Sequence, residues 1–367
     1  MLKHYFRPGT MSLRAAYIKK TFHFNFDART SRGQMKDKVS WFVKIWDEQD
    51  PAVVGIGECG PLPGLSIDHR PDLEEKLIAT LARLEHFGLK DIDPLSVNGI
   101  VPAGFPSITF AVETALLDLA HGGKHIIRNN QFIKGQRIPI NGLVWMGDFD
   151  FMLKQIEEKI SKGFTCIKLK VGGIDFDLEC ELLGQLRRKF PKEHITLRLD
   201  ANGAFTVENV MQRLQTLAQF GIHSIEQPLK AGLPRTKEVC LESSIPVALD
   251  EELIGLENRE SKEEMLDRLK PEFIVIKPSL HGGLSGSSEW IELAEARGIG
   301  WWITSALESN IGLNAICQFT ADYPVILHQG LGTGMIYVRN ISSPLSVDRG
   351  AIFMDPNLEW DETLINE

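Results

Sequence analysis

Five polar residues close five apolar runs at nearly even spacing, and that period limits the folds open to this chain more than any other feature. Lys170 ends Cys166-Ile-Lys168-Leu-Lys170, Asp200 ends Ile195-Thr-Leu-Arg198-Leu199, and Glu226 ends Gly221-Ile-His-Ser-Ile225. Asp250 follows Ile245-Pro-Val-Ala-Leu249 and Lys277 follows Phe273-Ile-Val-Ile276. The intervals are 30, 26, 24 and 27 residues. Each spans one strand, one helix and their loops, the length of a right-handed βα crossover. Successive parallel strands deliver their carboxyl ends to one mouth of a closed barrel. Two lysines would then face three carboxylates across a single pocket.

The rest of the chain is consistent with such a barrel carrying a second domain. Candidate strands begin near 138, 164, 195, 222, 246, 272, 300 and 324, with helical periodicity between them, as in Phe151 to Lys162 and Ser287 to Arg297. Eight strands with seven intervening helices predict a closed α/β barrel. Ahead of it, Leu13 to Glu58 reads as a three-stranded antiparallel meander, interrupted by a polar stretch from Phe26 to Gln34 that predicts a mobile loop. Helices are expected over Arg70 to Leu89 and Pro106 to His121, and a linker over Lys124 to Gln136. After Gly334 the chain reads as extended segments without another helix, returning to the first domain. The expected division is an α+β domain over 1–135, completed by residues 338–367, and a barrel over 136–337.

Charge and cysteines narrow the partners. A net charge of −9 with no basic stripe argues against nucleic acid, and no run approaches the roughly 18 apolar residues of a membrane span. The five cysteines form no CxxC pair, which fits a reducing cytosol. The expectation is a cytoplasmic protein acting on a small carboxylate substrate; a homo-oligomer is compatible with it.

Asp200, Glu226 and Asp250 offer three carboxylates without histidine or cysteine, a hard oxygen set suited to Mg²⁺, with Mn²⁺ as a substitute. Strand alternation puts Arg198 and Asn202 on the face of Asp200, as support behind it. Any one of these acids alone would read equally well as a helix N-cap; three in register would not. Lys168 and Lys170, two apart, should point together into the mouth. Their mutual repulsion, with Lys277 opposite and a dication nearby, is expected to depress the ammonium pKa and leave a neutral amine able to accept a proton near pH 7. Glu251 stands beside Asp250 to pair with a lysine. The combination points to proton abstraction from carbon next to a carboxylate, a step that requires charge stabilisation at the carboxylate oxygens.

Lys168-Leu-Lys170, Asp200, Glu226, Asp250-Glu251 and Lys277 resemble the catalytic set of the enolase superfamily, muconate-lactonizing subgroup. That resemblance implies a modified TIM barrel, (β/α)7β, with an N-terminal α+β capping domain, and lysine-mediated chemistry with Mg²⁺. Thr30-Ser31-Arg32-Gly33, Gly57-Glu58-Cys59-Gly60-Pro61-Leu62-Pro63-Gly64, Thr304-Ser305-Ala-Leu-Glu308-Ser309-Asn-Ile-Gly312 and Gln329-Gly330-Leu-Gly332-Thr333-Gly334 are similar to the o-succinylbenzoate synthase family of menaquinone biosynthesis. The likeness implies that Lys170 is the base and acid and that Lys277 is the facing cation. It also implies that Lys168, Arg32, Ser305, Gly332, Thr333 and Gly334 contact substrate, with Arg198, Asn202, Glu251 and Glu308 behind them. N-acyl amino acid racemases and muconate cycloisomerases share the machinery, and a barrel that has lost catalysis is the remaining alternative.

Overall fold

This computed structural model describes residues 13–30, 33–87, 92–97 and 99–366. Strands β1 (Leu13–Thr30), β2 (Gly33–Asp47) and β3 (Asp50–Cys59) form one antiparallel sheet in chain order. The polar stretch from Phe26, expected as a loop, is instead the far end of the β1–β2 hairpin. Ala28 still pairs with Met35 and Thr30 with Gly33, after a register shift between His23 and Ala28. Pairing consumes only backbone groups, so polar side chains do not forbid it. Arg32 and Ser31 lie outside the described residues.

Helices α1 (Leu73–Leu84) and α2 (Pro106–Ala120) cover this sheet. α2 is buried along almost its whole length, because it has a neighbour on each side. Ala111, Val112 and Ala115 pack toward the sheet, whereas Phe110 and Leu117 join the barrel core. Its close approach to β3 requires Gly55 and Gly57: a Cβ there would lie 2.1 Å from Ala115 O and 1.9 Å from Ala111 O.

The barrel strands are β5 (Gly142–Val144), β6 (Cys166–Lys170), β7 (Thr196–Asp200), β8 (Ser224–Glu226), β9 (Val247–Leu249), β10 (Phe273–Ile276) and β11 (Gly300–Ile303). They are parallel and neighbour one another in chain order. Each is followed by a helix: α3 (Phe149–Ser161), α4 (Phe176–Lys189), α5 (Val210–Ala218), α6 (Thr236–Glu242), α7 (Arg259–Leu269), α8 (Gly283–Glu295) and α9 (Asn310–Thr320). Side chains of Asp148, Asp175, Asn258 and Ser309 cap four of them.

Two expectations at the barrel's edges change. The strand expected from 138 splits: β4 (Ile138–Pro139) pairs with β13 (Ala351–Met354), which pairs with β12 (Leu345–Asp348) in a separate small sheet. The strand expected near 324 contracts to two parallel bridges, Thr304 with Gly330 and Ile140 with Gln329, which close the ring. Val325-Ile-Leu327 suggested a strand by apolarity, yet Ile326 is 88% exposed. Gln329 completes the closure with its own amide, accepting from Ile303 N at 2.7 Å and donating to Leu327 O at 2.7 Å.

The expected linker is no loose connection. Gln318 of α9 accepts from the backbone N–H groups of Ile127 and Arg128, and Phe132 is buried in a short 3₁₀ turn. Beyond the barrel, Ile336 and Val338 bond to Asn25 and His23 of β1. An unexpected helix, α10 (Thr363–Asn366), seats Ile365 against the antiparallel sheet, where Lys44 donates to its carbonyl at 2.8 Å.

Candidate active site

The strand register puts Lys170, Asp200 and Glu226 on one rung, paired in sequence across β6, β7 and β8. Asp250 follows the end of β9 and Lys277 the end of β10. All five side chains are more than nine-tenths buried except Lys170, which is 11% exposed, and Lys277, at 10%. Burial at this depth requires every charge to find a partner.

Lys168 Nζ lies 2.9 Å from Asp200 Oδ2 and 2.6 Å from Glu226 Oε2. Lys170 Nζ lies 2.5 Å from the same Asp200 oxygen and 2.7 Å from Asn202 Oδ1. Lys277 pairs with Asp250 Oδ2. Asn202 donates to Glu251 at 3.1 Å, so the supporting shell is continuous from β7 to the turn after β9. Gln227 holds the Asp250 backbone N–H at 3.1 Å, and His281 accepts from the backbone N–H of Lys277 at 3.0 Å.

These pairings split the lysines. Burial lowers the Lys170 pKa, as expected, and Asp200 offsets only part of it. For Lys168 and Lys277 burial acts the same way, but neighbouring carboxylates outweigh it and raise both, contrary to the depression expected of Lys168. Asp200 resists its own burial because two ammoniums face it, and stays well below the usual carboxylate range. Glu226 is pushed up to about 8, by burial and then by Asp200.

Among the described residues no group of three His, Cys, Asp or Glu side chains converges as a metal cage, since the lysines stand between the acids. The residues nevertheless fit a hard cation. Glu226 Oε1 and Asp250 Oδ1 are buried without a hydrogen-bond partner, and buried carboxylate oxygens otherwise find one. With Asp200 they make an all-oxygen donor set on three adjacent strands.

The cavity over these groups holds about 90 Å³. Lys168, Lys170, Asn202, Glu226 and Lys277 line it from β6 to β10, and Ser305, Gly330, Gly332 and Thr333 from beyond β11. Thr333 donates to Ser305 at 2.8 Å. Glu308 sits beneath, accepting from Ser305 Oγ and Ser279 Oγ at 2.5 Å and from Ala306 N at 2.7 Å. Two roomier cavities of about 570 Å³ each contain none of the lysine and acid cluster, and one of them adjoins this cavity at Asn141, Leu143 and Gly332. Gly334 borders one of those rather than this cavity. Arg198 does not join the site either: it lies a rung lower, its guanidinium 4.0 Å over the Trp302 ring and bonded to His328 O at 2.8 Å. Arg32 is outside the described residues.

Sequence reasoning missed the apolar wall of the cavity, made by Met35, Leu62 and Leu65 from the antiparallel sheet and its following turn, with Leu143, Trp145 and Leu307. Leu62 and Leu65 did carry a signal: apolar side chains inside the turn-rich Pro61-Leu-Pro-Gly64-Leu, where a solvated loop would rarely place them.

The family described as enolase C-terminal domain-like matches residues 152–357. The o-succinylbenzoate synthase of Desulfotalea psychrophila is 43% identical, over 93% of this chain and 98% of that protein. An N-succinylamino acid racemase of Thermus thermophilus is 34% identical over 44% of this chain and 41% of that one. Among solved structures, MenC of Desulfotalea psychrophila superposes with a TM-score of 0.82 at 40% identity, covering 93% of this chain and 99% of that one. The muconate lactonizing enzyme of Pseudomonas fluorescens superposes at 0.79 with 17% identity, over 96% and 98% of the two chains, a likeness of fold.

Proposed function

The chain belongs to the enolase superfamily, and within it to the o-succinylbenzoate synthases; on that premise we propose that it converts 2-succinyl-6-hydroxy-2,4-cyclohexadiene-1-carboxylate to o-succinylbenzoate and water. The reaction is that of a carbon–oxygen lyase in menaquinone biosynthesis. The observation that carries the reading is the placement of Lys170 and Lys277 on one cavity, each paired to a different acid.

Lys170 removes the proton α to the ring carboxylate and returns it to the departing hydroxyl. Lys168 is clamped by two carboxylates and is the less free of the β6 pair; it acts as a fixed cation toward the substrate carboxylate. Lys277 remains an ammonium and faces the negative charge that builds on the ring side. A divalent ion, Mg²⁺ with Mn²⁺ as a substitute, held by Asp200, Glu226 and Asp250, would supply further neutralisation of that charge. Asn202 and Glu251 orient the pairs from behind. Ser305, Thr333 and the backbone at Gly332 take the succinyl end, and Arg32 is assigned to the same end on its motif. In domain terms we read 1–135 with 338–367 as the cap, 136–337 as the barrel, and the cytoplasm as the compartment.

The test is aromatisation followed by ultraviolet absorbance in purified protein with added Mg²⁺; no turnover overturns the assignment. Two amines on one cavity also suit racemisation of N-succinyl amino acids, and incubation in D₂O reads that directly as α-deuterium incorporation. A dipeptide is disfavoured, because the segment that would present an Asp-x-Asp pair to its ammonium reads His328-Gln329-Gly330, with Gln329 committed to closing the barrel.

A further inference from the structure

Two of the sequence motifs, Gly57–Gly64 and Thr304–Gly312, hold buried polar residues that the chemistry above does not use, and in the structure these interlock. Glu58 of Gly57-Glu58-Cys59-Gly60 is fully buried and accepts four hydrogen bonds. One comes from Ser40 Oγ at 2.7 Å within its own sheet. The others come from Ser309 N at 3.0 Å, Ser309 Oγ at 2.6 Å and Gly312 N at 3.0 Å, at the start of α9. Lys38, 1% exposed, lies 3.8 Å from Glu58 and donates to Leu307 O at 2.8 Å. Tyr337 donates to the same carbonyl.

Leu307 has φ +62°, a left-handed conformation that branched and bulky residues avoid and that persists only where the surroundings enforce it. The two donors on its carbonyl come from outside its own segment. The space is exact to a methyl group: a Cβ on Gly60 would lie 2.7 Å from Lys38 Nζ, and one on Gly312 would lie 2.9 Å from Glu58 Oε2. Residues 305–309 therefore take their shape from Lys38 and Glu58 of the first domain together with Tyr337, and this turn carries Ser305 and Leu307 into the cavity.

We infer that Lys38 and Glu58 are positioning residues for substrate binding: by fixing the Leu307 turn they build the end of the pocket that receives the succinyl chain. The inference rests on the synthase reading for the identity of that chain. Contacts at this end are equal in the ground and transition states, so their loss changes affinity and leaves the proton transfer intact.

Lys38→Met leaves the Leu307 carbonyl short of a donor, and Glu58→Gln sets an amide NH2 against the backbone N–H of either Ser309 or Gly312, which bond to different oxygens of the carboxylate. Each is expected to raise KM about 10- to 100-fold, the range for losing a buried charged hydrogen bond, with kcat within about threefold of the native enzyme by the same reasoning. An unchanged KM, or a kcat that falls as far as KM rises, overturns the inference. Should neither variant fold, amide hydrogen exchange of the native protein decides: Ser309 and Gly312 are expected among the slowly exchanging amides of the barrel mouth, and rapid exchange at both refutes the interlock. That measurement needs no substrate, so an inactive native protein would sink the synthase reading and leave the interlock to be judged by exchange alone.

Discussion

Lys170→Ala removes an ammonium that lies 2.5 Å from Asp200 Oδ2 and 2.7 Å from Asn202 Oδ1. Breaking a buried ion pair outright costs about 3–5 kcal/mol, because the surviving charge is left uncompensated. Here Asp200 keeps Lys168, 2.9 Å from the same oxygen. The expected loss is therefore that of one charge-assisted hydrogen bond, about 1.5–3 kcal/mol, reduced by the burial cost that the lysine itself no longer pays. Turnover should fall much further. Removing a general base costs about 10²- to 10⁴-fold, or about 2.7–5.5 kcal/mol of barrier. The assay pairs a thermal melt by circular dichroism with the ultraviolet progress curve at saturating Mg²⁺. Lys168→Ala is the comparison, since it takes a partner from both Asp200 and Glu226 and should cost more stability. Turnover of Lys170→Ala within tenfold of native would refute the assignment of the base. A melt more depressed than that of Lys168→Ala would refute the charge accounting.

Mg²⁺ should raise the melting temperature of the native protein, by mass action on the folded state; Glu226→Gln should abolish most of that rise, and undiminished turnover after chelation would remove the metal from the account. Gly57→Ala drives a methyl to 1.9 Å from Ala111 O, backbone that cannot yield, so a loss of about 1–3 kcal/mol or more is expected in urea unfolding; a neutral result would mean that α2 is free to lift. Burial pushes the Glu113 carboxyl from 4.5 up to about 8, against the donors of Leu284 and Ser285. The folded state then holds a proton that the unfolded chain releases, and stability falls as pH rises between those values. Glu113→Gln should flatten that decline in melts at pH 5 and pH 8, and parallel slopes in the two proteins would contradict it.

The βα period was legible because strand ends recur wherever a parallel barrel must turn, and the register then puts Lys170, Asp200 and Glu226 on one rung without further information. Arg198 was misplaced by the same logic: alternation gives the face of a strand but not the depth along it, and a long side chain can reach down to Trp302 instead of up. The depressed lysine pKa was read from neighbouring positive charge, whereas the acids proved near enough to reverse it for Lys168. Lys38 and Ser40 sit in a segment that reads only as one strand of the meander. Nothing local distinguishes a solvated lysine from one matched to a carbonyl 269 residues away.

The ring of strands is a tube joined along one seam, where an eighth strand is replaced by two bridges and the amide of a single glutamine. A tube so made is stiff around most of its circumference and compliant at the join. Gly330, at the join, also lines the substrate cavity. The opposite wall, which carries the amines and acids, is by contrast woven into a continuous ladder.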